Sequence, residues 1–429
     1  MKRVLLFTSG TPPIDSRMPT TGDGLRAWQI YQGLQSKGFD VGLSLYKGVY
    51  DKFHEYLTDD FQRLSFDLRP KSQERVIEIF QPDVIIVTHW PAKLFGQTEI
   101  PVALDFHGPH MLERYFQGSG TINSNLHEKL LRIRDADFFT CAGEYQKYYF
   151  FSMLLRAGIT NMVNERMIFS IPISLDPSLP NIDYQKKADL PIRLIYSGMF
   201  LPWQNPFGSL KTSMDRFNKE NKGVLEIFGG KHPVHPMDTS IFDSFLEESK
   251  NNLSLRVRGL IPRKDLIEEY KTAHVALDLM SWNLERELAF TTRTIEYLWA
   301  GLPVIYNNFS EISEYIKKYN AGWCIDPENS DELGAILDEI LDDPHQLIEL
   351  SMNAQKLVRE CFTWDKTIGP LEEFCNNPKR RDRSMDVSFE HKTSTPEGTI
   401  IGRTIQCYQD NGLRYTSAKM MQYLKEAFQ

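Results

Sequence analysis

The chain lacks any run approaching the ~20 consecutive apolar residues that a membrane-spanning helix needs. Its start, Met1-Lys-Arg-Val-Leu-Leu-Phe-Thr8, has the charges of a signal peptide but an apolar run of only four residues. Cysteine is scarce. Cys141, Cys324, Cys361, Cys375 and Cys407 are scattered, odd in number and without metal-ligand spacing, which speaks against a disulfide framework or structural zinc and fits a reducing compartment. Positive charge is not in excess either: the net charge is −8, so no nucleic-acid partner is expected. A cytoplasmic chain is expected, with peripheral association to the inner face of a membrane left open.

What remains is ordinary globular composition, 41% hydrophobic and 25% charged over 429 residues, enough for two or three domains with their own cores. Val4–Phe7, Asp83–Val87, Pro101–Phe106 and Ala136–Thr140 predict buried parallel strands, with helices over 25–37, 72–80 and 123–133 between them. The polar stretch 177–190 predicts a crossing between domains, after which the pattern restarts. Ile192–Gly198, Leu225–Gly230 and Leu253–Gly259 each run from strand to glycine, and His274–Leu279 follows. This alternation predicts α/β architecture with ligands at the strand carboxyl ends, where His89, Trp90, Asp105, His107 and Gly108 stand.

Two motif matches fail on context. Gly22-Asp-Gly-Leu-Arg-Ala27 fits the dinucleotide pattern G-x-G-x-x-A, but a loop separates it from the first strand and no acidic residue closes the strand at Val41–Tyr46. Asp135-Ala-Asp137 precedes its strand, so Asp137 reads as structural; no metal and no cofactor is expected.

One stretch organises the rest: Phe290-Thr-Thr-Arg-Thr-Ile-Glu-Tyr-Leu-Trp-Ala-Gly-Leu-Pro-Val-Ile305. Residues 293–300 predict a short helix, capped by Thr291 or Thr292, stopped by Gly301 and Pro303, and followed by a strand at Pro303–Tyr306. Arg293 and Glu296 share the face away from Ile295 and Leu298, near the positive helix end. Unpaired N–H groups there suit a diphosphate, and a carboxylate one turn in can accept from two ribose hydroxyls. Alone, the two residues read first as an exposed ion pair worth under ~1 kcal/mol, and it is the rest of the chain that turns them into a site.

The stretch resembles the nucleotide-sugar signature of glycosyltransferase family 4 and its GT-B relatives: Lys or Arg, two residues, Glu-Tyr, then Ala-Gly-x-Pro-Val-Ile. The resemblance implies two Rossmann-like parallel-sheet domains facing a cleft, an acceptor-side domain at 1–180 and a nucleotide-sugar domain at 190–365. Phe362-Thr-Trp364 resembles the point where such chains turn back, so that a helix near 365–375 crosses to the first domain. A helical tail follows, at 399–409 and 415–428, after the basic run Lys379–Arg383, which reads as a solvated linker.

For the donor site the resemblance implies Glu296 on the ribose, Arg293 on the leaving group, and Phe290, Thr291 and Thr292 beside them. Gly198 would admit the nucleotide, Gly259, Leu260 and Ile261 would border the base, and Arg263 would add charge. Gly22, Asp23 and Gly24 would form a loop closing on the phosphates, helped by Arg17 or Arg26, while His107 would contact the reacting sugar. The family's second glutamate falls at Leu288 here; a one-residue loop adjustment would bring in Glu287, with Glu285 the next carboxylate. The usual Arg and Lys after the first strand of the second half are Met199 and Gln204.

The activity implied is a metal-independent, retaining hexosyl transfer from a nucleotide-sugar to a glycan, lipid-linked or small-molecule acceptor. A catalytically inactive nucleotide-sugar-binding subunit and an epimerase of the same fold remain open. Donor sugar, base and oligomeric state are not fixed by the sequence.

Overall fold

The computed structural model describes residues 1–88, 98–118, 122–160, 167–185, 190–233, 237–387 and Ser417. His89, Trp90 and, apart from Ser417, the helices expected at 399–409 and 415–428 lie outside the described residues.

The apolar runs form two six-stranded parallel sheets. The first holds β1 (Arg3–Thr8), β2 (Asp40–Leu45), β3 (Val84–Thr88), β4 (Val102–Asp105), β5 (Phe138–Cys141) and β6 (Ile168–Ser170), in the order β2-β1-β3-β4-β5-β6. The second holds β7 (Arg193–Met199), β8 (Val224–Gly230), β9 (Leu255–Val257), β10 (Val275–Asp278), β11 (Val304–Asn307) and β12 (Gly322–Ile325), in the order β12-β11-β10-β7-β8-β9. Helices cover both faces, which is why consecutive residues Val4, Leu5 and Leu6 are all fully buried; each such side chain contributes about 1.5–3 kcal/mol.

The chain crosses between the sheets twice, side by side. Leu175 N donates to Phe362 O at 2.9 Å and Trp364 N to Leu175 O at 3.1 Å. Past that crossing the Gly369–Asn376 helix returns to the first sheet, where Ile368, Leu371 and Phe374 share a core with Val4 and Leu6.

The basic run is not a solvated linker. Arg381 Nη2 and Arg383 Nη2 donate, each at 2.6 Å, to the Arg134 and Asp135 carbonyls that end the Ile122–Asp135 helix, where cations suit the helix dipole. Asp137 is spent in the same place, accepting from Arg383 at 2.6 Å and from Val102 N at 2.9 Å.

Candidate functional site

In an open α/β sheet the ligand crevice lies where the strand order reverses. That point falls between β1 and β3 in the first sheet and between β7 and β10 in the second. Segments following both points line one cavity of about 270 Å³. The first sheet supplies Thr21 and Gly22 after β1, and His107 and Gly108 after β4. The second supplies Ser197, Gly198 and Met199 at the end of β7, Leu260, Ile261 and Arg263 after β9, and Phe290 to Arg293 with Glu296 before β11.

Three hydrogen bonds fix the start of the Thr292–Trp299 helix at this cavity. Thr294 Oγ1 donates to Asp278 Oδ2 at 2.5 Å, Ser197 N donates to the Tyr297 hydroxyl at 2.7 Å, and Arg293 Nη1 donates to Ser197 O at 2.8 Å. Ile295 and Leu298 anchor the opposite face in the core. Burial opposes the Arg293 charge, yet the Tyr196 ring beneath it and Asp278 hold its pKa raised. Gly198 has φ 121°, and a Cβ on it would lie 3.1 Å from Arg293 Cζ, so glycine is what lets the guanidinium approach the strand end.

Glu296 pairs with Arg263, not with Arg293 as the helical spacing suggested: Arg263 Nε donates to Glu296 Oε1 at 2.6 Å. The Glu296 and Arg263 side chains are 13% and 23% exposed, and both line the cavity. A carboxylate offers about four acceptor positions, so one arginine bond leaves capacity for two neighbouring hydroxyls.

On the facing side, Gly22 and Gly24 belong to the first turn of the Gly22–Ser36 helix, where a loop was expected. Gly24 N donates to the capping Thr21 Oγ1 at 3.2 Å. A Cβ on Gly22 would stand 3.7 Å from Thr292 Oγ1, so two helix starts meet across the cavity. Gly24 serves packing instead, since a Cβ there would overlap Thr11 O. Asp23, Gly24 and Gly259 are not among the lining residues.

His107 adopts φ 58° in the cavity wall. Burial, then Arg26, push its pKa down, so it is neutral at pH 7. Glu113, from the His110–Phe116 helix, lines the same wall, and burial pushes its carboxyl up. Arg26 has no phosphate role: its Nε and Nη2 donate to Asp105 at 2.9 and 2.7 Å, and both side chains are 0% exposed. Arg17 pairs with Asp15 at the surface.

Glu287 is not in the wall. Its carboxylate accepts the Trp282 indole N–H at 2.8 Å, because Asn283 caps a helix at Leu284–Leu288 that turns Glu285 and Arg286 to the cavity instead. Sequence reasoning missed Arg286, Glu113 and Gln146, whose Nε2 donates to Leu288 O at 3.0 Å and joins the two halves. Two signals were present: Asn283 with acidic residues after it, a helix start, and the Gly108-Pro109 break before His110–Phe116.

Residues 182–357 match the family model described as "Glycosyl transferases group 1". No curated protein matches the chain. Sucrose-phosphate synthase from Thermosynechococcus elongatus superposes with a TM-score of 0.64 at 16% identity, over 88% of this chain and 98% of that one. Anabaena HepE, solved in complex with UDP, superposes with a TM-score of 0.60 at 14% identity, over 88% of this chain and 100% of that one. A glycosyltransferase from Rickettsia africae gives 0.56 at 12% identity, over 88% and 99%. Among the described residues no helix is long and apolar enough to cross a membrane.

Proposed function

We propose that the chain, whose fold is that of the GT-B proteins, is a glycosyltransferase that moves a sugar with retention from a nucleoside diphosphate-sugar to a hydroxyl of a glycan, lipid-linked or small-molecule acceptor. The observation that carries this reading is the Glu296 carboxylate, braced by Arg263 at 2.6 Å and opening onto the cavity one turn inside the Thr292–Trp299 helix. Glu296 takes the ribose hydroxyls, Leu260 and Ile261 border the base, and the diphosphate lies between the helix starts at Gly22 and Thr292. HepE has been solved with UDP and with UDP-glucose, which supports a nucleotide donor.

The sugar's bond to the diphosphate breaks as the acceptor oxygen bonds the same face of the anomeric carbon, and the acceptor proton passes to the departing diphosphate. The protein then needs no nucleophile of its own. It orients the partners, neutralises the leaving group with arginines and excludes water. Neutral His107 lines the cavity, and in this reading it hydrogen-bonds the transferred sugar.

Met199 and Gln204, at the positions of the usual cations, favour a second reading, a subunit that binds nucleotide-sugar without turning it over. Single-turnover incubation with UDP-, GDP- and ADP-sugars tests both. Slow release of free sugar, unchanged by a chelator, is expected of the transferase. A donor that binds and stays intact supports the second reading, an activated sugar of altered stereochemistry marks an epimerase, and no binding at all rejects the proposal.

A further inference from the structure

Met199 and Gln204 both line the cavity, so the turn after β7 brings no positive charge to it. Charge arrives from the other side of the same turn. Asn283 Nδ2 donates to Trp203 O at 2.9 Å, which pins the Leu284–Leu288 helix to residues 201–204. The same Asn283 accepts Arg286 N through Oδ1 at 3.0 Å, fixing where Arg286 leaves the backbone. Arg286 lines the cavity with its side chain 6% exposed, and its Nε and Nη2 donate to Glu285 at 2.6 and 2.8 Å.

We propose that Arg286 is the cation that meets the donor diphosphate in place of the absent strand-end cations, and that Glu285 holds it until the donor arrives. This rests on the nucleotide reading above. A guanidinium fork fits a carboxylate and a phosphate equally, so exchanging Glu285 for the diphosphate keeps the Arg286 charge compensated in both states, and the displaced Glu285 carboxyl, which burial already pushes up, takes a proton from solvent as the diphosphate enters. An arginine left alone in that wall would pay a desolvation cost in the empty enzyme. Arg293 is less free to do this work, because it is committed to Ser197 O and lies over the Tyr196 ring. Arg263 braces Glu296, the carboxylate assigned to the ribose, and must stay on it while the donor is bound. Glu285 therefore acts as a competitor of the diphosphate: removing its charge should tighten binding.

The test is calorimetric titration of the full chain with UDP, ADP and GDP and with their nucleosides, for wild type, Arg286→Gln, Glu285→Gln and the double variant. Arg286→Gln should lose about 10- to 100-fold in affinity for the preferred diphosphate while its nucleoside binds as before. Glu285→Gln should gain several-fold for the diphosphate alone, and the double variant should match Arg286→Gln. If Arg286→Gln does not fold with its partner carboxylate stranded, the double variant, with no charge left to strand, carries the comparison. Equal losses for nucleoside and diphosphate, or weaker diphosphate binding in Glu285→Gln, would overturn the assignment while leaving the nucleotide site intact. A wild-type chain that binds none of the six compounds would overturn the nucleotide reading and this inference with it.

Discussion

Two of the molecule's arginine–carboxylate pairs are of nearly equal length and opposite character, Arg26–Asp105 with its closest contact at 2.7 Å and Arg263–Glu296 at 2.6 Å. The first ties a helix to the end of β4, and the second ties two helices to each other. They differ in what lies beyond them. Arg26 and Asp105 are 0% exposed, and Arg26 spends its remaining donors on Gln29 and the Ile171 carbonyl, while Thr140 satisfies Asp105 at 2.7 Å. Arg263 and Glu296 face open space. A fully satisfied, sealed pair has no donor or acceptor left for a ligand and is costly to break, whereas a pair at a cavity edge keeps acceptor capacity for a ligand. The sequence offers Arg26 and Arg263 as comparable cations; solvent access separates them.

The strongest way to break that contrast is to cut the sealed pair. Asp105→Ala strands a buried guanidinium and should lower stability by about 3–5 kcal/mol, read by urea unfolding; a loss under ~1 kcal/mol would show that the pair is not structural. The complementary cut, Glu296→Ala, should cost about 1–3 kcal/mol in nucleoside diphosphate affinity. Its stability should change by no more than ~1 kcal/mol, since the partner arginine remains near water. If stability falls and affinity holds, the two pairs have been assigned the wrong way round.

Smaller effects sharpen the picture. Gly198→Ala puts a Cβ at φ 121° and 3.1 Å from Arg293 Cζ, and should destabilise by about 1–2 kcal/mol; unchanged thermal unfolding would count against the close approach. The smallest concerns pH. Burial holds the pKa of His107 in the folded chain below the ordinary histidine value of about 6.5, so below that pH the unfolded chain binds more protons and stability falls as the pH drops. His107→Asn, which tolerates a left-handed backbone, should lose stability less steeply than wild type between pH 7 and 5.5, by up to about 1.4 kcal/mol per pH unit. Parallel slopes would mean that His107 titrates normally.

Much of this was legible in the sequence. Continuous apolar runs such as Val4–Phe7 mark strands buried on both faces, and Gly301 with Pro303 marks where the 292–299 helix must stop. The Glu296 helix was visible for the same reason. Its partner was not. Arg293 sits at the right helical spacing, but a preference of the buried Ser197 carbonyl for a donor outweighs a surface pairing, and Arg263 is 33 positions away. Arg26 misled for the converse reason, because nothing local records that Asp105, 79 residues on, closes over it. Glu287 missed the cavity through one capping residue, Asn283, which sets the rotation of a five-residue helix and so chooses Glu285 and Arg286 for the wall.

The central claim is that Glu296 grips ribose hydroxyls, and a ligand-side cut tests it most directly. Whichever of UDP, ADP or GDP binds tightest should be titrated beside its 2′- and 3′-deoxy forms into wild type and Glu296→Ala. The account predicts that losing a hydroxyl weakens binding to wild type by roughly 5- to 30-fold and leaves binding to the variant almost unchanged. Equal losses in the two proteins would contradict it.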